Sequence, residues 1–248
     1  MDIWSEVKGE QYIQPMMATI HRVTDDQQLI ATMSLVNNVE EQGILEQLLE
    51  ETKPEKPIGY EDFDYLLISP FRYPPLQYGS RFGSVFEPSL FYGSLNITTA
   101  LAETAFYRFI YLSGMKTQFT APLQVTYSSY TVSVRSNSSI FLDKAPFDQY
   151  QEIIASPIHY QATQALGYAM RRANIEVFQF SSVRDAHAGK NIALFTPKAF
   201  QSKSPIKLER WICNVTHEAV GFVSSDNLKR FSFTKNMFLV DNAFTVPA

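Results

Sequence analysis

The chain has 248 residues, 45% hydrophobic and 19% charged, with a formal charge of −4 at neutral pH. Such a composition supplies a sizeable core and excludes a disordered chain, and its mild acidity disfavours a direct nucleic-acid partner. The one cysteine, Cys213, excludes an internal disulfide and a cysteine-rich zinc site, and fits a reducing compartment.

The first residues, Met1-Asp2-Ile3-Trp4-Ser5-Glu6, lack the basic start and apolar run of a signal peptide. No window reaches the roughly 18 uncharged apolar residues of a membrane span, so a cytoplasmic protein without membrane contact is expected. Val39 to Glu51 is predicted as an amphipathic helix, with Ile44, Leu45, Leu48 and Leu49 on one face. The segment Thr52-Lys53-Pro54-Glu55-Lys56-Pro57 ends it and marks the expected boundary. Residues 1–53 are therefore read as a small helical and extended subdomain packed on a main body, 54–248.

Tyr65 to Ser69, an apolar run closed by Pro70, is predicted as a strand. Phe71 to Gly83 should be a long irregular loop, where function tends to sit. Leu90 to Gly93 is a further short strand. Thr98 to Leu112 carries Leu101, Ala105, Phe109 and Leu112 on one helical stripe, with Phe106, Tyr107 and Ile110 covering much of the rest. A helix apolar nearly all round is a buried helix, and its one acid, Glu103, has to be paired or functional. Leu123 to Val134 should give one or two strands, and Phe147 to Ile154 a helix. A second helix is predicted over Pro157 to Ala173, capped by Ser156-Pro157. Strands are expected at Ile175 to Phe180 and Asn191 to Phe195 around a loop, then a hairpin over Leu208 to Val223. The mixed order of elements argues for α+β.

Several chemistries are missing. No glycine-rich dinucleotide turn and no phosphate-binding P-loop occurs, and His21, His159, His187 and His217 show no metal-ligand spacing. Ser182, Asp185 and His187 lie close in sequence but read better as a polar turn than as a triad. Cys213 and His217, about 13 Å apart along a strand, are too distant for a dyad.

Five residues could jointly handle a flat, charged ligand: Arg72, Tyr73, Arg81, Tyr92 and Glu103. The arginine fork suits a diphosphate, tyrosine suits an aromatic ring, and a lone carboxylate suits a developing ribosyl cation. Structural roles stand beside these. Arg72 could pair with Asp62 or Asp64, Arg81 could be a solvated loop charge, and Glu103 could be neutralised by Arg108 or Arg72.

At these residues the sequence resembles the RES family of bacterial toxins, named for an Arg, a Glu and a Ser. Three blocks carry the likeness. The first is Phe71-Arg72-Tyr73-Pro74-Pro75 with Gly79-Ser80-Arg81-Phe82-Gly83. The second is Phe91-Tyr92-Gly93-Ser94 with Ala100-Leu101-Ala102-Glu103-Thr104-Ala105. The third is Phe180-Ser181-Ser182-Val183-Arg184-Asp185 with Asn191-Ile192-Ala193-Leu194-Phe195. Arg81, Tyr92 and Glu103 follow one another at eleven-residue steps.

The resemblance implies an ADP-ribosyltransferase-like mixed sheet with flanking helices and a small N-terminal helical extension. It implies NAD⁺ as substrate, no separate cofactor or metal, and a cognate Xre-type antitoxin, and it allows a homodimer. By position, Arg72 and Arg81 would grip NAD⁺, Tyr73 and Tyr92 would flank its nicotinamide end, Glu103 would be the catalytic acid, and Ser182 would orient ribose or phosphate. Cleavage of the nicotinamide–ribose bond, as a glycohydrolase or phosphorylase, is the expected activity. A protein ADP-ribosyltransferase and a non-catalytic module of the same fold are the alternatives.

Overall fold

A 19-residue strand, β3 (Leu123–Phe141), is the axis of the molecule. The computed structural model describes residues 2–26, 35–115 and 121–247. Along one part of β3 runs β1 (Gln14–Asp25), antiparallel from Asp25↔Tyr127 to Gln14↔Ser139. Near its start β3 also pairs antiparallel with β6 (Lys207–Val215), and its end pairs parallel with β4 (Val177–Ser181). From β4 the sheet continues antiparallel through β5 (Lys190–Leu194) to β2 (Phe91–Ser94), and β2 meets β1 again at Ser94↔His21. Strands β1, β2, β5, β4 and β3 thus close a ring, and β6 leads outward to β7 (Ala219–Ser224) and β8 (Arg230–Thr234) as an antiparallel meander. The fold is α+β with a mixed sheet, as the order of elements predicts.

Three buried clusters hold these strands together. One packs α1 (Ile3–Val7) and α6 (Gln161–Arg172) on β4 through Trp4, Leu166, Met170, Phe178 and Phe180. A second packs α4 (Ile97–Ser113) on β6, β7 and β8 through Leu101, Ala105, Phe106, Phe109, Trp211 and Phe222. The third, inside the ring, joins Ile20, Phe91, Tyr130, Val132 and Ile192. Each fully buried Leu or Phe contributes roughly 1.5–3 kcal/mol, so these clusters carry most of the driving force for folding.

Helix α4 matches its predicted stripe, with one difference. Tyr107 and Tyr111 stand on an open face, so the helix is buried on a wide arc and not all round. Glu103 lies at the border of that arc, half-buried.

Other expectations need correction. Tyr65 to Ser69 is no strand but the body of α3 (Tyr65–Arg72), capped by the Asp64 carboxylate accepting from the Leu66 amide at 2.8 Å. Pro70 cannot donate back to the Leu66 carbonyl, and the Tyr130 hydroxyl donates to that oxygen instead at 2.7 Å. An outside donor therefore removes the usual objection to an interior proline. The helix predicted from Pro157 begins only at Gln161. Ser156 caps a turn instead, its Oγ accepting from the His159 amide. Helix α2 (Val39–Thr52) forms as predicted, with Asn38 as its N-cap, yet Ile44, Leu48 and Leu49 are exposed. The short helical segment before Ala155 is a 3₁₀ turn, Phe147–Tyr150, followed by α5 (Gln151–Ile154). Among the described residues, no helix is long and apolar enough to cross a membrane.

Candidate active site

Glu103 enters the site from the middle of α4. Its Oε1 accepts two hydrogen bonds, from Ser182 Oγ and from Asn191 Nδ2, both at 2.7 Å. Oε2 makes no hydrogen bond among the described residues and is not among the buried orphan atoms. One carboxylate oxygen is thus fixed by neutral donors while the other stays available. Neither expected ion pair forms. Arg108 lies over the Tyr111 ring at 5.0 Å, and Arg72 pairs elsewhere.

Both donors are themselves held. Asn191 Oδ1, at the start of β5, accepts from Ser94 Oγ of β2 at 2.6 Å, and both residues are buried. Ser182 follows β4, and its Oγ accepts from the amides of Arg184 and Asp185 at 3.2 and 3.1 Å while donating to Glu103. These bonds tie its loop to the carboxylate. Asp185 in turn accepts from Thr99 Oγ1 and from the His187 amide, so Ser182, Asp185 and His187 form the polar turn expected of them. Gly189 closes this turn, because a Cβ there would collide with Thr99 and Asp185.

Arg81 belongs to the same region. It is only 8% exposed and donates through Nη1 to the carbonyls of Ser156 at 2.6 Å and Ile154 at 3.2 Å. Its guanidinium also lies 4.5 Å from the Tyr160 ring centre. Tyr92 sits beneath this loop. Its hydroxyl bonds Ser80 Oγ at 2.9 Å and accepts from the Phe82 amide at 3.3 Å, and burial pushes its pKa up to about 12. It therefore stays neutral and anchors the arginine-bearing loop. Tyr107, one turn beyond Glu103, has an open ring.

Two predicted residues lie apart. Arg72 ends α3, donating to Glu50 Oε1 of α2 at 2.6 Å and, through Nε, to the Pro54 carbonyl. This is the structural pairing of Arg72, with Glu50 in place of Asp62 or Asp64. Asp64 caps α3 and Asp62 pairs with Lys203. The Tyr73 phenol is raised by burial first and then by its hydrogen bond with Tyr65. Among the described residues, no hydrogen bond or ion pair joins Arg72 or Tyr73 to Glu103.

Asn191, Tyr160 and Arg184 were not predicted as site residues. Asn191 and Arg184 stand inside the third sequence block, but only the fold shows that they turn toward Glu103 and Arg81. Among the described residues, no group of three or more His, Cys, Asp or Glu side chains is placed to hold a metal. A cleft of ≈ 670 Å³ lies elsewhere, between α1 and α6, lined by Trp4, Glu10, Gln164 and Arg172 among others and by none of the Glu103 cluster.

The site thus holds a half-buried carboxylate oriented by neutral donors, with Arg81 buried on a loop that Tyr92 anchors. A model of the RES domain matches residues 58–215, and the chain belongs to that family. Among solved structures, the M. tuberculosis MbcT–MbcA toxin–antitoxin complex is similar at 10% identity and a TM-score of 0.48, over 87% of this chain and 93% of that one. A search of curated proteins finds no match.

Proposed function

We propose that this protein is an NAD⁺-degrading toxin of a toxin–antitoxin pair, cleaving the bond between nicotinamide and ribose. The observation that carries this reading is Glu103, with one oxygen held by Ser182 and Asn191 and the other free. Nicotinamide in NAD⁺ is a cationic leaving group. As the C–N bond breaks, its electron pair returns to the ring nitrogen, and positive charge develops on the ribose as an oxocarbenium ion. A fixed carboxylate stabilises that charge without having to reorganise. An acceptor oxygen then bonds to the ribose carbon and loses its proton.

Arg81 orients the diphosphate, and Tyr92 keeps the loop that carries Arg81 in place. Tyr107, with its open ring and nearby hydroxyl, supplies an aromatic wall for the nicotinamide end. Arg72 and Tyr73, the other sequence candidates, would extend the binding surface along α3. A cognate Xre-type antitoxin would restrain the enzyme, and NAD⁺ would be its substrate with no further cofactor.

The test is incubation of the purified protein with NAD⁺, with and without inorganic phosphate, following free nicotinamide and the ADP-ribose product. Nicotinamide release is expected. Free ADP-ribose identifies hydrolysis, and a phosphorylated ADP-ribose identifies phosphorolysis. Label transferred to a protein would make it an ADP-ribosyltransferase. Folded, antitoxin-free protein that releases no nicotinamide under any condition would refute the reading.

A further inference from the structure

The cleft of ≈ 670 Å³ between α1 and α6 combines an apolar floor with an acidic rim. Trp4 of α1 and Leu166 and Ala169 of α6 form the floor, and they belong to or pack on one buried cluster. Asp2, Glu10 and Glu87 line the cleft against one arginine, Arg172. Neither Asp2 nor Glu10 has a lysine or arginine partner among the described residues. Glu10 accepts from the Trp4 indole at 2.6 Å, and Asp2 caps α1. Glu87 stands 3.7 Å from Arg171, and its Oε1 is buried without a hydrogen bond. The volume falls within the roughly 300–1,000 Å³ of ligand clefts, room for several side chains.

An exposed aromatic stands beside this cleft. Phe86 is 95% exposed and sits between Ser84 and Glu87, both of which line the cleft. Its loop is pinned and does not merely dangle. The Ser84 amide donates to Glu87 Oε2 at 2.9 Å, and Arg171 of α6 donates to the Pro88 carbonyl at 2.5 Å. A phenylalanine held in water at the lip of an apolar cleft is the kind of anchor that a binding surface presents. Because the loop is already fixed, little freedom is lost when a partner covers it.

We infer that the α1–α6 cleft, with Phe86 at its lip, docks a segment of another protein that carries apolar side chains beside lysine or arginine. The apolar floor and Phe86 take the apolar side chains, and Asp2, Glu10 and Glu87 face the basic ones. The same acids repel the phosphates of nucleic acid and of anionic lipid. They also disfavour a second copy, since a two-fold contact sets this acidic face against itself. None of the Glu103 cluster lines the cleft, so the inference stands apart from the proposed NAD⁺ chemistry.

The experiment is fluorescence anisotropy of the full chain with a short fluorescein-labelled peptide of leucine and lysine repeats. Two control peptides replace each lysine by glutamate or each leucine by serine. The variants are Phe86→Ser and Ala165→Lys, the second placing a cation in the cleft at an exposed position of α6. Both positions are exposed, and circular dichroism and thermal melting check that the fold is kept. The leucine–lysine peptide should bind wild type, with both controls weaker by about tenfold or more, and binding should weaken as salt is raised. Each variant should weaken it by about tenfold, and nicotinamide release should not change. Wild type that does not bind the peptide, or that binds the glutamate control equally, overturns the proposal. So do two folded variants with unchanged affinity, which would place the peptide elsewhere on the surface. Sedimentation that shows a dimer broken by Phe86→Ser would assign the cleft to a second copy and overturn it too. Peptide binding lost in both variants, from a protein that releases no nicotinamide, would leave the docking site standing and remove the NAD⁺ reading.

Discussion

Glu103 owes its orientation to neutral donors, and this has a measurable consequence. Asn191→Ala removes one of the two bonds to Oε1 and leaves Ser94 without its partner. The carboxylate then swings more freely, and turnover is expected to fall about tenfold with little change in KM, the signature of an interaction used in the transition state. An Asn191→Ala enzyme with normal turnover would show that Ser182 alone holds the carboxylate. Tyr92→Phe acts differently. It frees Ser80 and the Phe82 amide, loosens the Arg81 loop, and should raise KM by several-fold with a smaller effect on kcat. At this scale the sequence was informative where one residue type had few structural excuses. An acid in an apolar helical stripe stood out as Glu103, and Ser182 came with its block. Arg81 was visible, but its burial was not. Arg184 and Tyr160 gave no signal, because an arginine in a polar loop and a tyrosine before a helix have many ordinary uses. Arg72 looked like Arg81 in sequence and differs only in its partner, Glu50, contributed by a helix 22 positions away.

At the scale of elements, close packing of helices on the site loop sets the geometry. Gly167 of α6 lies against the Phe82 carbonyl so closely that a Cβ would overlap it. Gly167→Ala should force the loop and helix apart and cost about 1–3 kcal/mol, read as a lower denaturation midpoint. Unchanged stability would mean the helix can shift without penalty. Helix α3 shows why the strand prediction failed. An apolar run followed by proline reads as a strand, but Asp64 starts a helix and Tyr130, from a distant strand, satisfies the carbonyl that Pro70 cannot. Tertiary contact of that kind leaves no local trace. A salt link joins helix α2 to α3: hydrogen bonds from Lys53 first and then Arg72 lower the Glu50 pKa from 4.5 to about 2. The folded value is depressed, so the stabilising contribution is fully present above about pH 4.5 and is lost as the pH falls toward about 2. Hydrogen exchange should accordingly show α2 opening in that window before the sheet does. Protection in α2 that is flat from pH 5 to 2.5 would contradict the assignment.

For the whole molecule, the α+β class followed from the alternation of helical and strand periods, and the strands after Ile175 were legible because turns bounded them. The closure of five strands into a ring was not. It depends on β1, whose mixture of exposed and buried residues carries no clear alternation, and on β3 running unbroken for 19 residues where one or two shorter strands were expected. That ring matters for function because it brings Ser94 of β2 and Asn191 of β5 to the same side as α4, and so fixes Glu103. The proposed chemistry therefore depends on a carboxylate that the fold holds in place. The most direct measurement is nicotinamide release from NAD⁺ by wild type and Glu103→Gln, with ADP-ribose binding measured on both proteins. Wild type should release nicotinamide, and Glu103→Gln should keep its fold and its ADP-ribose affinity while turnover drops by at least a hundredfold. A folded Glu103→Gln protein that releases nicotinamide at the wild-type rate would contradict the account.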